Sequence, residues 1–556
     1  MQPLELREKT DGVFMNAIKR KAASPKKDNY TIITQLALII VLIFRIPLGH
    51  ITGDKGLAYF GTANEIFFVV AGTISYGLSE AAAFHVRYRM KKEQAKSAEK
   101  TLRLALVCGA AVGALFTVLF VFGGFAIAEK VMHIPLAGLS LCVMAPAIVF
   151  FILTGVFRGY FQGNGSRIPA IHSQILFTFF LFAGGLTGAA VLHSYGSKVS
   201  ALLKNADYAA SYGAMGASVG LLAASVFCFL HALVLYVIFK RGSRKLADRE
   251  LQRNQESGFY IFRMLLGTGL MYCLYYLTFH ILPLLDQYLY FSTGEAVGTL
   301  TSSWGMYYGK CLVVIGVICG VISLFCVFPR RVSTILEREE KRFARERLGI
   351  FTHQCAAVAI PAAVFLAVFS ENILSLLFKG NPGQAVLWLQ LGSLIVVFYV
   401  PGALFMEILM KNRRLNYVVF VGAGALLIHI GAAILLVKVA KIGMTGVITS
   451  VILFHVLVAG AGLFLISRIF GYTQEWIKSF VFTIVISAIA GVISLLLNKL
   501  LSSIIGPGFS MPICLAAGIA IYMLLLVVTR AFREEELEEM AGGWILMKLS
   551  ERLHYM

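Results

Sequence analysis

Apolar runs of roughly membrane length follow one another from residue 31 to residue 529, broken only by short polar or charged connections. A run of about 20 apolar residues spans a bilayer core of about 30 Å as a helix. Lipid offers the backbone no hydrogen-bond partners, so such runs fold as helices. The pattern predicts fourteen spans, near 31–51, 57–82, 104–128, 136–157, 168–192, 209–239, 261–286, 297–328, 351–378, 384–410, 415–437, 442–467, 476–498 and 508–529. The expected fold class is therefore an all-α polytopic membrane protein. An even number of spans places both termini on one side.

Charge placement predicts which side. With the tails and the even-numbered connections taken as cytoplasmic, 39 of the 49 Lys and Arg residues fall on that side and 8 on the other. Arg45 and Lys310 remain inside spans 1 and 8. Excess Lys and Arg mark cytoplasmic loops, so both termini are expected in the cytoplasm. The net charge of +20 is thereby explained as loops facing anionic lipid, and nucleic acid is not expected as a partner. Composition agrees: 58% of residues are hydrophobic and 14% charged, against about a quarter charged in soluble domains.

The first 29 residues are polar and basic without an apolar core, so no cleaved signal peptide is expected. Nine scattered cysteines without a CxxC read as small apolar fillers. Polar connections of about twenty residues, such as Lys240–Tyr260, leave no room for a nucleotide-binding domain, and no GxxxxGK[ST] loop occurs. No cofactor is expected. Energy should come from the membrane potential or a Na+ or H+ gradient.

Landmarks recur at a nearly constant offset. Pro47 in "RIPLG" and Pro283 in "LPLLD" lie 236 residues apart, Gly53 and Gly294 lie 241 apart, and "GAMGAS" at Gly213 and "GMTGVI" at Gly443 lie 230 apart. These echoes predict that spans 1–6 and 7–12 are two copies of a six-helix unit related by an axis along the membrane normal, as in transporters with a central cavity. The expected organisation is a tail (1–29), an N-terminal lobe (30–240), a linker (241–260), a C-terminal lobe (261–470), two additional C-terminal helices (471–530) and a second tail (531–556).

An ionisable group at membrane depth is costly, so each is a functional candidate. Arg45 and Lys310 each lie about 13 residues into their spans, roughly 20 Å deep at 1.5 Å per residue. Either they face a wet cavity and meet an anion, or each pairs with an intramembrane carboxylate. Glu65 is placed to partner Arg45 across the outer half of span 2. Asp286 ends span 7, at a cavity rim or a solvated helix end. Glu80 and Glu407 near cytoplasmic ends are expected to reach solvent. The histidines, among them His429, are dispersed and no metal site is expected. Pro47 should act as a hinge in span 1.

The stretch "VFRGYFQGNGSRIPAIHSQ" (156–174) places two arginines and three glycines between spans 4 and 5. It reads as a cytoplasmic turn in which Gly159, Gly163 and Gly165 bend the backbone and Pro169 starts the next helix. Arg158 and Arg167 then sit on the side where positive charge is favoured.

Its wording is specific. "FRGYFQG" (Phe157–Gly163) followed by Pro169, Ser173 and Gln174 resembles the SpoVB/MurJ-type branch of the multidrug/oligosaccharidyl-lipid/polysaccharide (MOP) exporter superfamily, which includes the MATE drug exporters. "RIPL…GDKGLAYFG" (Arg45–Gly61), "MYYGK" (Met306–Lys310) and "FREEELEEMAGG" (Phe532–Gly543) are similar to that branch in order and placement. The resemblance covers nearly the whole chain. It implies a flippase in the bacterial plasma membrane that moves an undecaprenyl-linked saccharide, lipid II-like or another cell-wall or capsular precursor, to the outer leaflet. Membrane lipids and cell-wall synthesis enzymes are the implied partners. Arg45, Lys310, Glu65 and Asp286 would line the cavity, and Arg158, Gly159, Gln162, Gly163, Pro169 and Gln174 would form a gating loop. Lys310 stands where the branch has an arginine and lacks the bidentate fork. Span 5 continues as uncharged "ILFTFFLF" (Ile175–Phe182), and residues 66–79 carry no arginine. The cavity is thus expected to be less cationic than a lipid II flippase's. The alternatives are a cation-coupled multidrug exporter on the same scaffold and a non-transporting scaffold for cell-wall or sporulation enzymes. With no nucleophile–base pair at one depth, no enzyme is expected.

Overall fold

The computed structural model describes residues 29–247, 256–326, 341–539 and 543–552. The predicted N-terminal tail up to residue 28, residues 248–255 of the linker and residues 540–542 of the C-terminal motif lie outside the described residues. Within them the chain is helical, with no strand.

Twelve described helices are long and apolar enough to cross a bilayer. A thirteenth crossing is a pair, Pro135–Met144 and Ala147–Gly163, bent by 47°. The first of the twelve, Ile32–Lys91, is 60 residues long and is not one straight helix. Gly53 leaves helical geometry at φ 68°. A Cβ on Gly49 would lie 2.9 Å from the Leu57 side chain, although eight residues of unbroken helix span about 12 Å. The chain therefore turns back at Gly53, between predicted spans 1 and 2, and the helices are consistent with fourteen crossings. Large apolar side chains such as Phe122, Leu202 and Phe420 remain exposed, as lipid-facing positions require. The protein is a multi-pass membrane protein.

Two of the three sequence echoes reappear as shared structure. Helix boundaries fall at Phe44 and Ile281, just before Pro47 and Pro283. Gly53 and Gly294 both adopt positive φ, 68° and 83°. A further match joins them: π turns at Phe68–Gly72 and Tyr307–Cys311 occupy corresponding places in spans 2 and 8. The third echo does not hold. Gly443 precedes its helix at φ 64°, whereas Gly213 lies inside Asp207–Ala247, where Thr52 and His193 pack against it. Pro47 lacks an N–H for the Ile43 carbonyl, which accounts for the break at Phe44; the full reversal belongs to Gly53.

The two lobes meet mainly through spans 1 and 2 on one side and spans 7 and 8 on the other. At the end of the bundle that carries Gly53, span 2 and span 8 approach backbone to backbone. A Cβ on Gly305 would overlap the Asp54 carbonyl, and one on Gly61 would lie 2.5 Å from the Tyr308 ring. Small residues allow such approach between membrane helices. Towards the other end, Tyr76 of span 2 packs against Tyr272, Tyr275 and Tyr276 of span 7. The last two spans lie outside this arrangement; Tyr522 anchors the final one by donating to the Ala357 carbonyl at 2.7 Å.

Candidate functional site

Arg45 emerges one residue after the Phe44 break and reaches across to span 8. Its Nη2 donates to the Tyr308 hydroxyl at 2.6 Å, and its guanidinium carbon lies 4.1 Å from the Tyr308 ring centroid. Glu65 completes the group: Oε1 is 3.5 Å from Arg45 Nη2 and accepts a hydrogen bond from the Tyr308 hydroxyl. A cation held by a ring face and a carboxylate in a desolvated site is a strong contact. Arg45 and Glu65, on neighbouring spans of one lobe, are thus joined by a tyrosine of the other lobe.

Lys310 is carried on the π turn of span 8. Its Nζ lies 2.6 Å from Asp54 Oδ1, and the residue is 6% exposed. Asp54 directly follows the Gly53 reversal, so the turn delivers its carboxylate to the facing lobe. Nearby, Gln287, in the helix Leu282–Phe291 that continues span 7, donates to Thr62 of span 2 at 2.7 Å. The Gly53 end is therefore closed by an ion pair, an amide–hydroxyl bond and a glycine-mediated backbone contact, all between lobes. On its margin Lys55 pairs with Asp207 at 2.5 Å.

Between this closure and the tyrosine cluster lies a central cavity of about 530 Å³. Arg45, Glu65 and Asp286 border it, among rings that include Phe60, Tyr276, Trp304 and Phe454. Lys310 does not line it, contrary to its expected place; the Asp54 pair holds it in the closure instead. Asp286 borders the cavity and is not a solvated helix end. It is 2% exposed, and its Oδ1 lies 2.9 Å from Nε2 of fully buried His429, whose Nδ1 meets the Ser450 carbonyl at 2.9 Å. The pair ties span 7 to spans 11 and 12. Glu407 pairs with Lys411 at 2.9 Å, and Glu80 is half-buried.

The 156–174 stretch is rearranged relative to its sequence reading. Helix Ala147–Gly163 continues through all of "FRGYFQG". The turn is confined to residues 164–167, where Gly165 alone has positive φ, 89°. Gly159 and Gly163 do not bend the chain; a Cβ on Gly159 would overlap the Ser79 carbonyl, and one on Gly163 would lie 2.6 Å from Val86 Cβ. They let span 4 lie directly on span 2. The Gln162 carbonyl accepts from the Gly165 N–H at 3.1 Å, closing the turn, and Pro169 sits in the first turn of Ile168–Leu203 as expected. Arg158 is not a loop charge. It is a helical residue whose Nε donates to Ser173 Oγ at 2.6 Å, and it borders a second cavity together with Gln174.

Sequence reasoning found Arg45, Glu65 and their proximity. It missed Asp54, Tyr308 and His429. Asp54 had one available signal, an acid placed immediately after a glycine that reverses the chain. His429 had none, since its partner is 143 residues away.

These features define a two-lobed, all-helical membrane fold with a central cavity set between two groups of interlobe contacts, one at the Gly53 end and one where Tyr76 meets span 7. The fold is similar to that of solved MOP superfamily transporters. The chain is similar to the lipid II flippase MurJ in an inward closed conformation, with a TM-score of 0.64 at 15% identity, covering 90% of this chain and 98% of that one. It is also similar to an inward-facing multidrug resistance MATE family transporter, with a TM-score of 0.60 at 14% identity, covering 78% and 94%. A MOP superfamily transporter from Pyrococcus furiosus, described as having a binding pocket of reverse polarity, aligns with a TM-score of 0.53 at 14% identity over 79% and 94%. In sequence, the chain is 22% identical over 498 residues to stage V sporulation protein B of Bacillus subtilis (strain 168), covering 89% of this chain and 92% of the relative. No family model matches.

Proposed function

We propose that this protein is an alternating-access flippase that carries an undecaprenyl-linked saccharide, a cell-wall or capsular precursor, across the bacterial plasma membrane. The observation that carries the reading is the central cavity between the lobes, largely apolar but with the Arg45–Glu65 pair at its wall. The similarity to stage V sporulation protein B and to the MurJ fold supports the same class of cargo. A pyrophosphate-linked sugar is too polar to cross lipid unaided, and a cationic group within an aromatic cavity meets both halves of such a cargo. Both termini are assigned to the cytoplasm from the 39-to-8 distribution of Lys and Arg. The Gly53 end is then the outer end, and cargo enters from the cytoplasmic side once spans 2 and 7 part there.

Arg45 and Lys310 have different duties in this reading. Arg45 offers its charge to the cargo as the Glu65 contact loosens. Lys310 and Asp54 hold the outer end shut until spans 2 and 8 part. The membrane potential or a Na+ or H+ gradient supplies the driving force. Docking of cell-wall synthesis enzymes on the basic cytoplasmic face is part of the same proposal.

The aromatic, carboxylate-bearing lining favours a second reading, a multidrug exporter. Complementation separates the two. The chain is expressed, with membrane levels verified by blotting, in a bacterial host depleted of its lipid II flippase and, in parallel, in one lacking its drug exporters. Growth rescue in the first by wild type and not by Arg45→Ala supports the flippase; rescue of drug resistance alone replaces it with the exporter.

A further inference from the structure

The second cavity, about 260 Å³, lies beside the central one and shares Leu38, Val41, Phe68 and Tyr276 with it. Its polar wall differs in kind. No acidic residue lines it, and it contains Arg158 and Gln174 beside the hydroxyl-bearing rings of Tyr76 and Tyr276. Every other intramembrane cation described above has a carboxylate: Arg45 has Glu65 and Lys310 has Asp54. Arg158 has none among the described residues; its one polar contact is Nε to Ser173 Oγ.

Ser173 is itself fixed. It is 1% exposed, and its hydroxyl donates to the Ala170 carbonyl at 2.9 Å. The guanidinium is therefore oriented through Nε, which leaves the two Nη groups unpartnered among the described residues. The Gln174 side chain and the Tyr76 and Tyr276 hydroxyls likewise form no hydrogen bond within the described residues. An arginine keeps its charge at any accessible pH, and an uncompensated charge at membrane depth is costly and conspicuous. A guanidinium with two free Nη groups, flanked by an amide and two phenols, is matched to a tetrahedral oxyanion, which accepts such donors in bidentate fashion.

We propose that this cavity is an oxyanion subsite, in which Arg158, oriented by Ser173 and assisted by Gln174, binds the phosphate or pyrophosphate of a polyprenyl-linked headgroup. Arg158 lies in the last two turns of span 4 before the turn assigned to the cytoplasmic side, so cargo entering from that side meets it before Arg45. The shared apolar wall then leads to the central cavity. The transport role rests on the flippase reading; the binding site itself does not.

The test uses the purified full-length protein in detergent or nanodiscs, with binding followed by native mass spectrometry and by thermal-shift titration. The probes are a short-chain polyprenyl pyrophosphate, the same chain ending in an alcohol, and inorganic pyrophosphate. Wild type is expected to bind the polyprenyl pyrophosphate and not the alcohol. Arg158→Gln should weaken binding at least about tenfold, as loss of a charge-assisted bidentate contact does, and Arg158→Lys should restore part of it. Ser173→Ala, which keeps the charge but frees Nε, serves as a second variant should Arg158→Gln fold poorly; it should weaken binding less than Arg158→Gln. Binding of the lipid but not of inorganic pyrophosphate assigns the site to a headgroup; binding of both assigns it to the oxyanion alone. Equal affinity of wild type, Arg158→Gln and Ser173→Ala for polyprenyl pyrophosphate would overturn the proposal. Binding through Arg158 without translocation would uphold the subsite and remove the flippase reading, whereas translocation with Arg158-independent binding would do the reverse.

Discussion

Asp54→Asn should unlock the Gly53 end. Lys310 Nζ and Asp54 Oδ1 are 2.6 Å apart, where the gross Coulomb attraction is about 6 kcal/mol at an effective dielectric constant of about 20. Desolvation offsets much of that attraction. Removing one partner of a fully buried pair costs about 3–5 kcal/mol. The Lys310 side chain is 8% exposed but that of Asp54 is 31% exposed, so water reaches one side of the pair and the loss falls to about 1–3 kcal/mol. This penalty acts on the closed state, because parting spans 2 and 8 returns Lys310 to water. The open population at that end should rise about 5- to 150-fold. Spin labels at exposed Asn205 and Glu295, one on each lobe, report the change as a longer interlobe distance by pulsed electron resonance. The double variant Asp54→Asn with Lys310→Met should recover the closed distance, since a neutral pair leaves no stranded charge. An unchanged distance distribution in Asp54→Asn, or a double variant as open as the single one, would refute the gating role.

Other expectations follow from the same contacts. Gly305→Val places side-chain atoms on the Asp54 carbonyl; overpacking of this kind costs about 1–3 kcal/mol and should lengthen the same spin-label distance. His429→Ala strands buried Asp286 and should cost about 3–5 kcal/mol, read as a lowered Tm in detergent, with Asp286→Asn added to it giving partial recovery. Gly159→Val cannot fit against the Ser79 carbonyl and should reduce folded yield by size-exclusion chromatography far more than Gly165→Ala, which meets open space but strains a φ of 89°. Tyr308→Phe removes the hydroxyl that joins Arg45 to Glu65 while keeping the ring; it should slow transport with membrane levels unchanged on a blot.

The elements were legible in the sequence because lipid leaves the backbone few choices. Long apolar runs become helices, and charge sorting marks their connections. Arg45, Glu65 and Lys310 stood out because charge is scarce at that depth. The partners of Lys310 and Asp286 were not legible: the Lys310–Asp54 pair, 256 residues apart, depends on how the lobes dock, and the Asp286–His429 pair, 143 apart, on how spans 7 and 11 pack within one lobe, which no local pattern encodes. The reading of residues 156–174 failed for a different reason. Glycine permits both tight turns and close helix contact, and only the packing of span 4 on span 2 shows that Gly159 and Gly163 serve the second. Once those residues are helical, Arg158 moves from a loop into a cavity wall. The π turns, matched between lobes, carry no sequence signature of their own.

The most direct test of the flippase reading is translocation in proteoliposomes. The purified chain is reconstituted with fluorescent undecaprenyl-pyrophosphate-linked saccharides of differing sugars, under an imposed membrane potential or a Na+ or H+ gradient. Movement to the opposite leaflet is read as susceptibility to a membrane-impermeant reagent. The account predicts translocation of at least one such lipid well above protein-free vesicles, lost in Arg45→Ala and impaired in Lys310→Ala. Movement no faster than in empty vesicles for every saccharide and every driving force would contradict it.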